Sequence, residues 1–404
     1  MTHPRLEVAD VVQHYGAAYL ERYGQTTTRQ QRQVLHAIAR CRTAALGGHK
    51  TQCEHCGHEV IQYNSCRNRH CPKCQGAAQA AWLAARERER LDVPYAHVIF
   101  TLPATLSPLA LSNPRLLYNL LFRTASETLL TLARDPQHLG ADVGFLAILH
   151  TWGQQLHHHP HLHCVVPSGG LAPDGSRWVA GRPRFFLPVR VLSRLFRRLF
   201  VAALGQAYAR GTLLCAGRCQ ALAEPQCWQR FLNTLRATEW VVHATKPLRH
   251  SSHVLTYLAR YTHRVAISNR RLVALKDGTV TFRWKDYAHG NRLRTRTLDA
   301  VEFLRRFVLH ILPRGFQRIR HYGFLANRVR QAKLAQCRAL LAGSRAPSCS
   351  GDDVIREAAA PPTPRDTTNL CPACHSGRLV WVQTLRPQWE PLETSSRPLA
   401  WDTS

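Results

Sequence analysis

The chain has 404 residues, enough for two or three domains and a sizeable buried core. A hydrophobic content of 45% excludes wholesale disorder. Lys and Arg number 54 against 25 Asp and Glu, leaving +29 with His neutral, a self-repulsion that needs an anionic partner. Nucleic acid fits best, because each neutralised phosphate releases a counterion; a basic ribosomal or membrane-surface protein is the plainer alternative. The basic residues are mostly Arg and run along the whole chain, so the charge belongs to folded surfaces rather than to a terminal arm. The first thirty residues lack the apolar core of a secretory signal, and no stretch approaches the roughly 18 apolar residues of a membrane span. A cytoplasmic, nucleoid-associated protein with no membrane partner is expected. Its 14 cysteines then read as metal ligands or reduced thiols rather than disulfides.

In chain order, residues 28–45 carry helical spacing, with Val34, Leu35, Ile38 and Ala39 on one side. A Cys/His-rich segment follows over 53–74, then an Ala-rich helix over 75–92. His97–Leu102 reads as a buried strand stopped by Pro103, and 114–134 as a long amphipathic helix opened by Asn113-Pro114. Gly144–His150 and Leu162–Val166 read as strands, and 190–209 as an Arg-studded helix. Glu239–Ala244 reads as a strand and 252–262 as a helix. Arg271–Leu275 and Thr279–Trp284 flank the hairpin turn Asp277-Gly278, and Arg292–Leu298 is a third strand. A helix over 299–311 ends at Pro313, and from about 340 the chain is rich in Pro, Ser, Gly and Thr. This order predicts an α+β fold: an N-terminal helical and zinc-binding domain over 1–94, a core over 95–325, and a basic segment with a largely flexible tail over 326–404.

Cys53-x-x-Cys56 and Cys71-x-x-Cys74 have paired-knuckle spacing, which aims four thiolates at the tetrahedral corners of one structural Zn²⁺. Cys66 and His70 lie between the pairs as further ligand candidates. Arg67, Arg69 and Lys73 around them suit phosphate contacts or plain solvated surface. Cys371-Pro-Ala-Cys374-His375 is half a knuckle, without a partner pair unless Cys337 or Cys349 contributes. In His159-Pro-His161-Leu162-His163, strand alternation brings the imidazoles of His161 and His163 out on one face while Leu162 points into the core. Two imidazoles make an incomplete metal site; His97, Gln155, His159 and His263 are candidates for a third ligand, against the plainer reading of a His-rich loop. Tyr257 and Tyr261 are i and i+4 on a predicted helix and share a face, as packing tyrosines commonly do.

Together, four segments resemble the transposases of rolling-circle insertion sequences, the insertion-sequence-ninety-one-like family of HUH endonucleases, in which U is a hydrophobic residue. They are Ser65–Cys74, His97–Pro103, Leu149–Leu156 running into His159–His163, and Tyr257–Asn269. The resemblance implies an HUH-endonuclease-like antiparallel sheet with flanking helices, similar to an RNA-recognition fold. It implies that His161 and His163, with a third ligand, hold Mg²⁺ or Mn²⁺, and that Tyr257 and Tyr261 are nucleophiles. A divalent ion withdraws charge from a phosphodiester, and a phenol of reference pKa about 10 needs a nearby cation to attack it. Attack would leave a 5′-phosphotyrosine whose energy serves strand joining.

Arg260, Arg264, Arg270 and Arg271 flank the tyrosines and are expected to grip single-stranded DNA, against the reading of a solvated basic face. Trp152, Trp240 and Trp284 suit base stacking, although core packing is the commoner role. The rival readings are a replication initiator or relaxase with the same chemistry, and a non-catalytic zinc DNA-binding regulator. A carboxylate-triad nuclease ranks low, because none of the 25 acidic residues is clustered on adjacent strands.

Overall fold

A computed structural model describes residues 6–183, 185–248, 265–287, 289–343 and 369–388. The chain forms two compact units, residues 1–74 with 347–404, and residues 75–346. The first unit opens with helices α1 (Val8–Tyr23) and α2 (Arg29–Arg40). Thr28 caps α2: its hydroxyl accepts from the Gln31 N–H at 3.2 Å, and the Gln31 side-chain oxygen accepts from the Thr28 N–H at 2.8 Å. Val34, Leu35, Ile38 and Ala39 are buried, as their spacing requires. Strands β1 (Gly48–Cys53) and β2 (Glu59–Tyr63) then pair antiparallel.

The second unit begins with α3 (Gln75–Arg88), β3 (Tyr95–Thr101), α4 (Ser107–Ser112), α5 (Pro114–Arg134), β4 (Gly144–Trp152) and β5 (His158–Pro167). The small hairpin β6 (Gly169–Leu171) and β7 (Trp178–Ala180) precedes α6 (Val189–Ala209), α7 (Pro225–Ala237) and β8 (Val242–Ala244). The meander β9 (Leu272–Lys276), β10 (Thr279–Asp286) and β11 (Arg292–Asp299) follows, then α8 (Ala300–Val308), β12 (Ile319–Gly323) and α9 (Arg330–Gly343). The central sheet is antiparallel throughout, in the order β12-β4-β5-β3-β8.

Strand alternation gives this sheet two different faces. Phe100 of β3, Leu149 of β4 and Leu162 of β5 point to one side and join Leu121 and Phe122 of α5, Phe196 of α6 and Trp240 in the main core. Tyr95, Leu146, Ile148 and Val165 point to the other side, where Trp82 and Leu83 of α3 pack on them. That packing moves the boundary between the units: α3 belongs with the central sheet, not with the N-terminal domain of 1–94 that was expected.

The C-terminal reading also changes. In α9, Leu334 and Cys337 pack against Leu91, Leu171 and Phe324, so this helix is part of the second unit. Residues 369–388 return to the first unit, where β13 (Leu379–Leu385) pairs antiparallel with β1 in a sheet of order β13-β1-β2. An edge strand leaves its N–H and C=O groups unpaired, and β13 satisfies those on the open side of β1. Among the described residues, no helix is long and apolar enough to cross a membrane.

Candidate metal centre

His161 and His163 lie on one face of β5, while Leu162 between them is fully buried in the main core. The antiparallel register places His150 of β4 directly opposite His161, and both Ile148 and Ile99 opposite His163. One ring nitrogen from each of His150, His161 and His163 lies within 4.8 Å of the others. His150, only 3% exposed, thus completes the cluster, and the sequence alone did not single it out. The signal lay in Leu149-His150, which repeats on β4 the alternation of Leu162-His163, but no spacing rule links residues on two strands.

The candidate third ligands make other contacts in the structure. His97 meets His163 through its Nε2 at 2.8 Å from His163 Nδ1. If His163 is neutral and donates there, its Nε2 lone pair is left for a metal, and His97 orients the ring from outside the coordination sphere. The His159 carbonyl accepts from His161 Nδ1–H at 2.7 Å, which likewise frees His161 Nε2. Gln155 is turned away: its side-chain oxygen accepts from Arg296, and its carbonyl from Arg306 at 3.2 Å. His263 lies outside the described residues.

Burial penalises the imidazolium form and pushes His161 down to about 3 and His163 well below its ordinary value. Both rings are therefore neutral at physiological pH, the form that binds metal. Trp152 stacks on His150 with ring centroids 4.6 Å apart, so this tryptophan packs behind the cluster. Trp240, expected as a base-stacking candidate, is 2% exposed and donates Nε1–H to the Leu235 carbonyl at 3.0 Å.

The turn between β4 and β5 is held from several sides. Leu156 is fully buried with φ of 63°, a left-handed conformation unusual for a branched residue. A Cβ at Gly153 would overlap the His157 ring, so a larger residue there would displace that side chain. Buried His310 reaches the Leu156 carbonyl through Nε2 and the Thr151 hydroxyl through Nδ1, each at 3.2 Å. His158 bridges Ser107 at 2.5 Å and Tyr118 at 2.9 Å.

Tyr257, Tyr261, Arg260 and Arg264 lie outside the described residues. Arg270 is exposed. Arg271, expected on phosphate, bonds the Gln154 carbonyl and donates Nε–H to the Arg283 carbonyl at 2.7 Å. Its guanidinium is spent fastening the meander to the turn.

The single zinc tetrad expected from Cys53, Cys56, Cys71 and Cys74 does not form; each knuckle finds different partners. Cys71 and Cys74 meet Cys41 and Cys66, while Cys53 and Cys56 meet Cys371 and Cys374, all sulfurs within each group lying within 4.8 Å. Cys41 ends α2, which aims its thiol to 3.4 Å from Cys74, and Cys66 lies 3.5 Å from Cys74. A hydrogen bond from Cys66, then one from Cys71, holds the Cys41 thiol far below its ordinary value. Zn–S bonds of about 2.3 Å give tetrahedral edges of about 3.8 Å, so this cluster fits zinc. His70 bonds Asn68 instead, at 3.1 Å, and does not join the cluster. Cys337 is buried on the inner face of α9 in the second unit and supplies no partner to Cys371.

A family model described as "Transposase zinc-binding domain" matches residues 11–102, and one described as "Putative transposase" matches 144–333. A "Putative transposase y4qJ" of Sinorhizobium fredii is 52% identical over 98% of each chain. The "Transposase for insertion sequence element IS801" of Pseudomonas savastanoi pv. phaseolicola is 33% identical, over 72% of this chain and 68% of the relative. This chain belongs to the insertion-sequence-ninety-one-like family of transposases. No solved structure matches it. The zinc-binding match spans the four-cysteine cluster of this transposase, and the second match spans its three clustered histidines.

The buried histidines should make the transposase acid-sensitive. Burial pushes His158 down to about 4 and His310 to about 3. The unfolded chain takes up these protons first, near its reference value of about 6.5. Their contribution is therefore complete above about pH 6.5 and is lost as the pH falls through about 4 for His158 and about 3 for His310. The urea midpoint, followed by tryptophan fluorescence, should fall over that window, and His158→Gln should flatten the fall; an unchanged slope would contradict the assignment.

Proposed function

We propose that this transposase cleaves and rejoins single-stranded DNA at the ends of its element through a tyrosine intermediate, in a rolling-circle type of mobilisation. The observation that carries the reading is the cluster of buried His150 and His163 with half-buried His161 on one face of the central sheet. Three converging imidazoles, those of His161 and His163 kept neutral by burial, in a chain of net charge +29 suit a divalent ion and a phosphodiester together. The ion would be Mg²⁺ or Mn²⁺, of which Mn²⁺ accepts imidazole nitrogen more readily than oxygen-seeking Mg²⁺. When bound, it supplies charge withdrawal from the non-bridging phosphate oxygens.

The protein's own residues do the rest. Tyr257 and Tyr261 are the nucleophiles. The phenol oxygen of one attacks phosphorus, a 5′-phosphotyrosine forms, and the 3′ oxygen departs as a hydroxyl with the proton balanced by that released from the phenol. The second tyrosine cuts while the first holds its strand. Two anchors bracket the tyrosine-bearing stretch. Leu248 exchanges backbone hydrogen bonds with Tyr95 beside β3, and Arg271 binds the turn that leads into β5. Arg260 and Arg264, with exposed Arg270, Arg283 and Arg292, grip phosphates of the single strand. The cluster of Cys41, Cys66, Cys71 and Cys74 holds a structural Zn²⁺ with all four positions filled by thiolates, which leaves it no catalytic site.

Incubation with Mn²⁺ and labelled single-stranded DNA from the element's ends should yield a covalent protein–DNA adduct on a denaturing gel. The adduct should require metal and vanish in the Tyr257→Phe/Tyr261→Phe double variant. Tight DNA binding without any adduct would favour the non-catalytic regulator. By calorimetry, His150→Ala should abolish Mn²⁺ binding and His97→Ala weaken it about 10–100-fold, while Gln155→Ala leaves it intact. Loss of Mn²⁺ in Gln155→Ala alone would return that residue to the coordination sphere.

A further inference from the structure

The zinc-binding match ends at residue 102, yet two cysteines inside it are matched to partners near the other end of the chain. Cys53 Sγ lies 3.7 Å from Cys374 Sγ, and Cys56 Sγ lies 3.6 Å from Cys371 Sγ. These separations far exceed a disulfide bond of about 2.05 Å. They agree with the roughly 3.8 Å edge of a tetrahedron of sulfurs around zinc.

The backbone of the two pairs is built alike. The Gly57 N–H donates to the Cys53 carbonyl at 3.0 Å, and the His375 N–H donates to the Cys371 carbonyl at 3.0 Å. Gly57 and His375 both take left-handed φ, 71° and 56°. Cys53 N–H reaches the His58 carbonyl at 2.9 Å, and Cys371 N–H reaches the Gly377 carbonyl at 2.8 Å. Each C-x-x-C thus turns through a left-handed residue four positions after its first cysteine, the C-terminal loop closing one residue later than the N-terminal one. Peptide N–H groups also point at the sulfurs: Ala373 at Cys371 and Gly377 at Cys374, each at 3.4 Å. Such donors favour thiolate over thiol.

The strands bring the two loops together. β1 pairs with β13 from Gly48 opposite Leu385 to Cys53 opposite Leu379, and the Glu54 N–H continues the ladder to the Arg378 carbonyl at 3.0 Å. At the closest approach stands Gly377, where a Cβ would overlap Cys53 Sγ. Four thiolates gathered this closely repel one another unless a cation sits among them.

We propose that Cys53, Cys56, Cys371 and Cys374 bind a second structural zinc ion, which ties the C-terminal strand to the N-terminal module. The ion closes a loop of 315 positions between Cys56 and Cys371, so the module's three-stranded sheet depends on residues from both ends of the chain.

Zinc content of the purified full-length protein, read by mass spectrometry of the metal, should be two ions per chain. Cys371→Ser/Cys374→Ser should hold one, Cys53→Ser/Cys56→Ser should hold one, and the four together should still hold one, because they remove the same ion. A wild-type content of one, or two ions retained without Cys371 and Cys374, overturns the proposal. Should the variants fail to fold, native wild-type protein decides it by thiol alkylation. Cys371 and Cys374 should resist iodoacetamide together with Cys53 and Cys56 and react once a chelator strips the zinc. Free alkylation of Cys371 and Cys374 in the zinc-loaded protein overturns the proposal equally.

Discussion

The register between β4 and β5 is the constraint on which the histidine cluster depends. Because side chains alternate with a period of two, a slip of one residue would send His161 and His163 into the core and turn Leu162 toward the cluster. The register is held on the core side by Leu149 and Leu162, which are directly opposite and almost wholly buried. Hydrophobic packing on one face therefore sets the chemistry available on the other. His150 enters the cluster only because it is paired with His161.

The turn joining these strands carries a second layer of control. Arg271, Arg296 and Arg306 all reach Gln154 or Gln155, and Glu302 is held down to about 2 by its hydrogen bonds with Arg305 and then Arg306. Part of the large positive charge is thus internal, spent on fastening the meander and α8 to the turn. The arginines left exposed, among them Arg270, Arg283 and Arg292, remain for an anionic partner. Charge counted from composition alone cannot separate these two uses, since Arg270 and Arg271 are neighbours with different roles.

Several local signals in the sequence correspond to elements of the structure. The apolar spacing of α2, the Asn113-Pro114 start of α5, the Asp277-Gly278 hairpin and the His161-Leu162-His163 alternation all reappear in the structure. What escaped was non-local pairing. The third histidine sits on another strand, and the zinc tetrads exchange partners because Cys53-x-x-Cys56 and Cys71-x-x-Cys74 are locally indistinguishable. Parity offered a clue: the six cysteines from Cys41 to Cys74, with Cys371 and Cys374, make two complete tetrads. The short strands β12 and β13 were missed because isolated runs of five to seven residues carry little periodicity.

In the proposed mechanism a divalent ion is held by His150, His161 and His163 where a tyrosine reaches a bound phosphate. Diffraction from crystals grown with Mn²⁺ and a single-stranded oligonucleotide, recorded at the manganese absorption edge, tests it most directly. An anomalous peak bonded to those three imidazoles, with a phosphate and the hydroxyl of Tyr257 or Tyr261 beside it, is the expected result. A peak ligated instead by Gln155 or His159, or a phosphate bound far from both tyrosines, would contradict it.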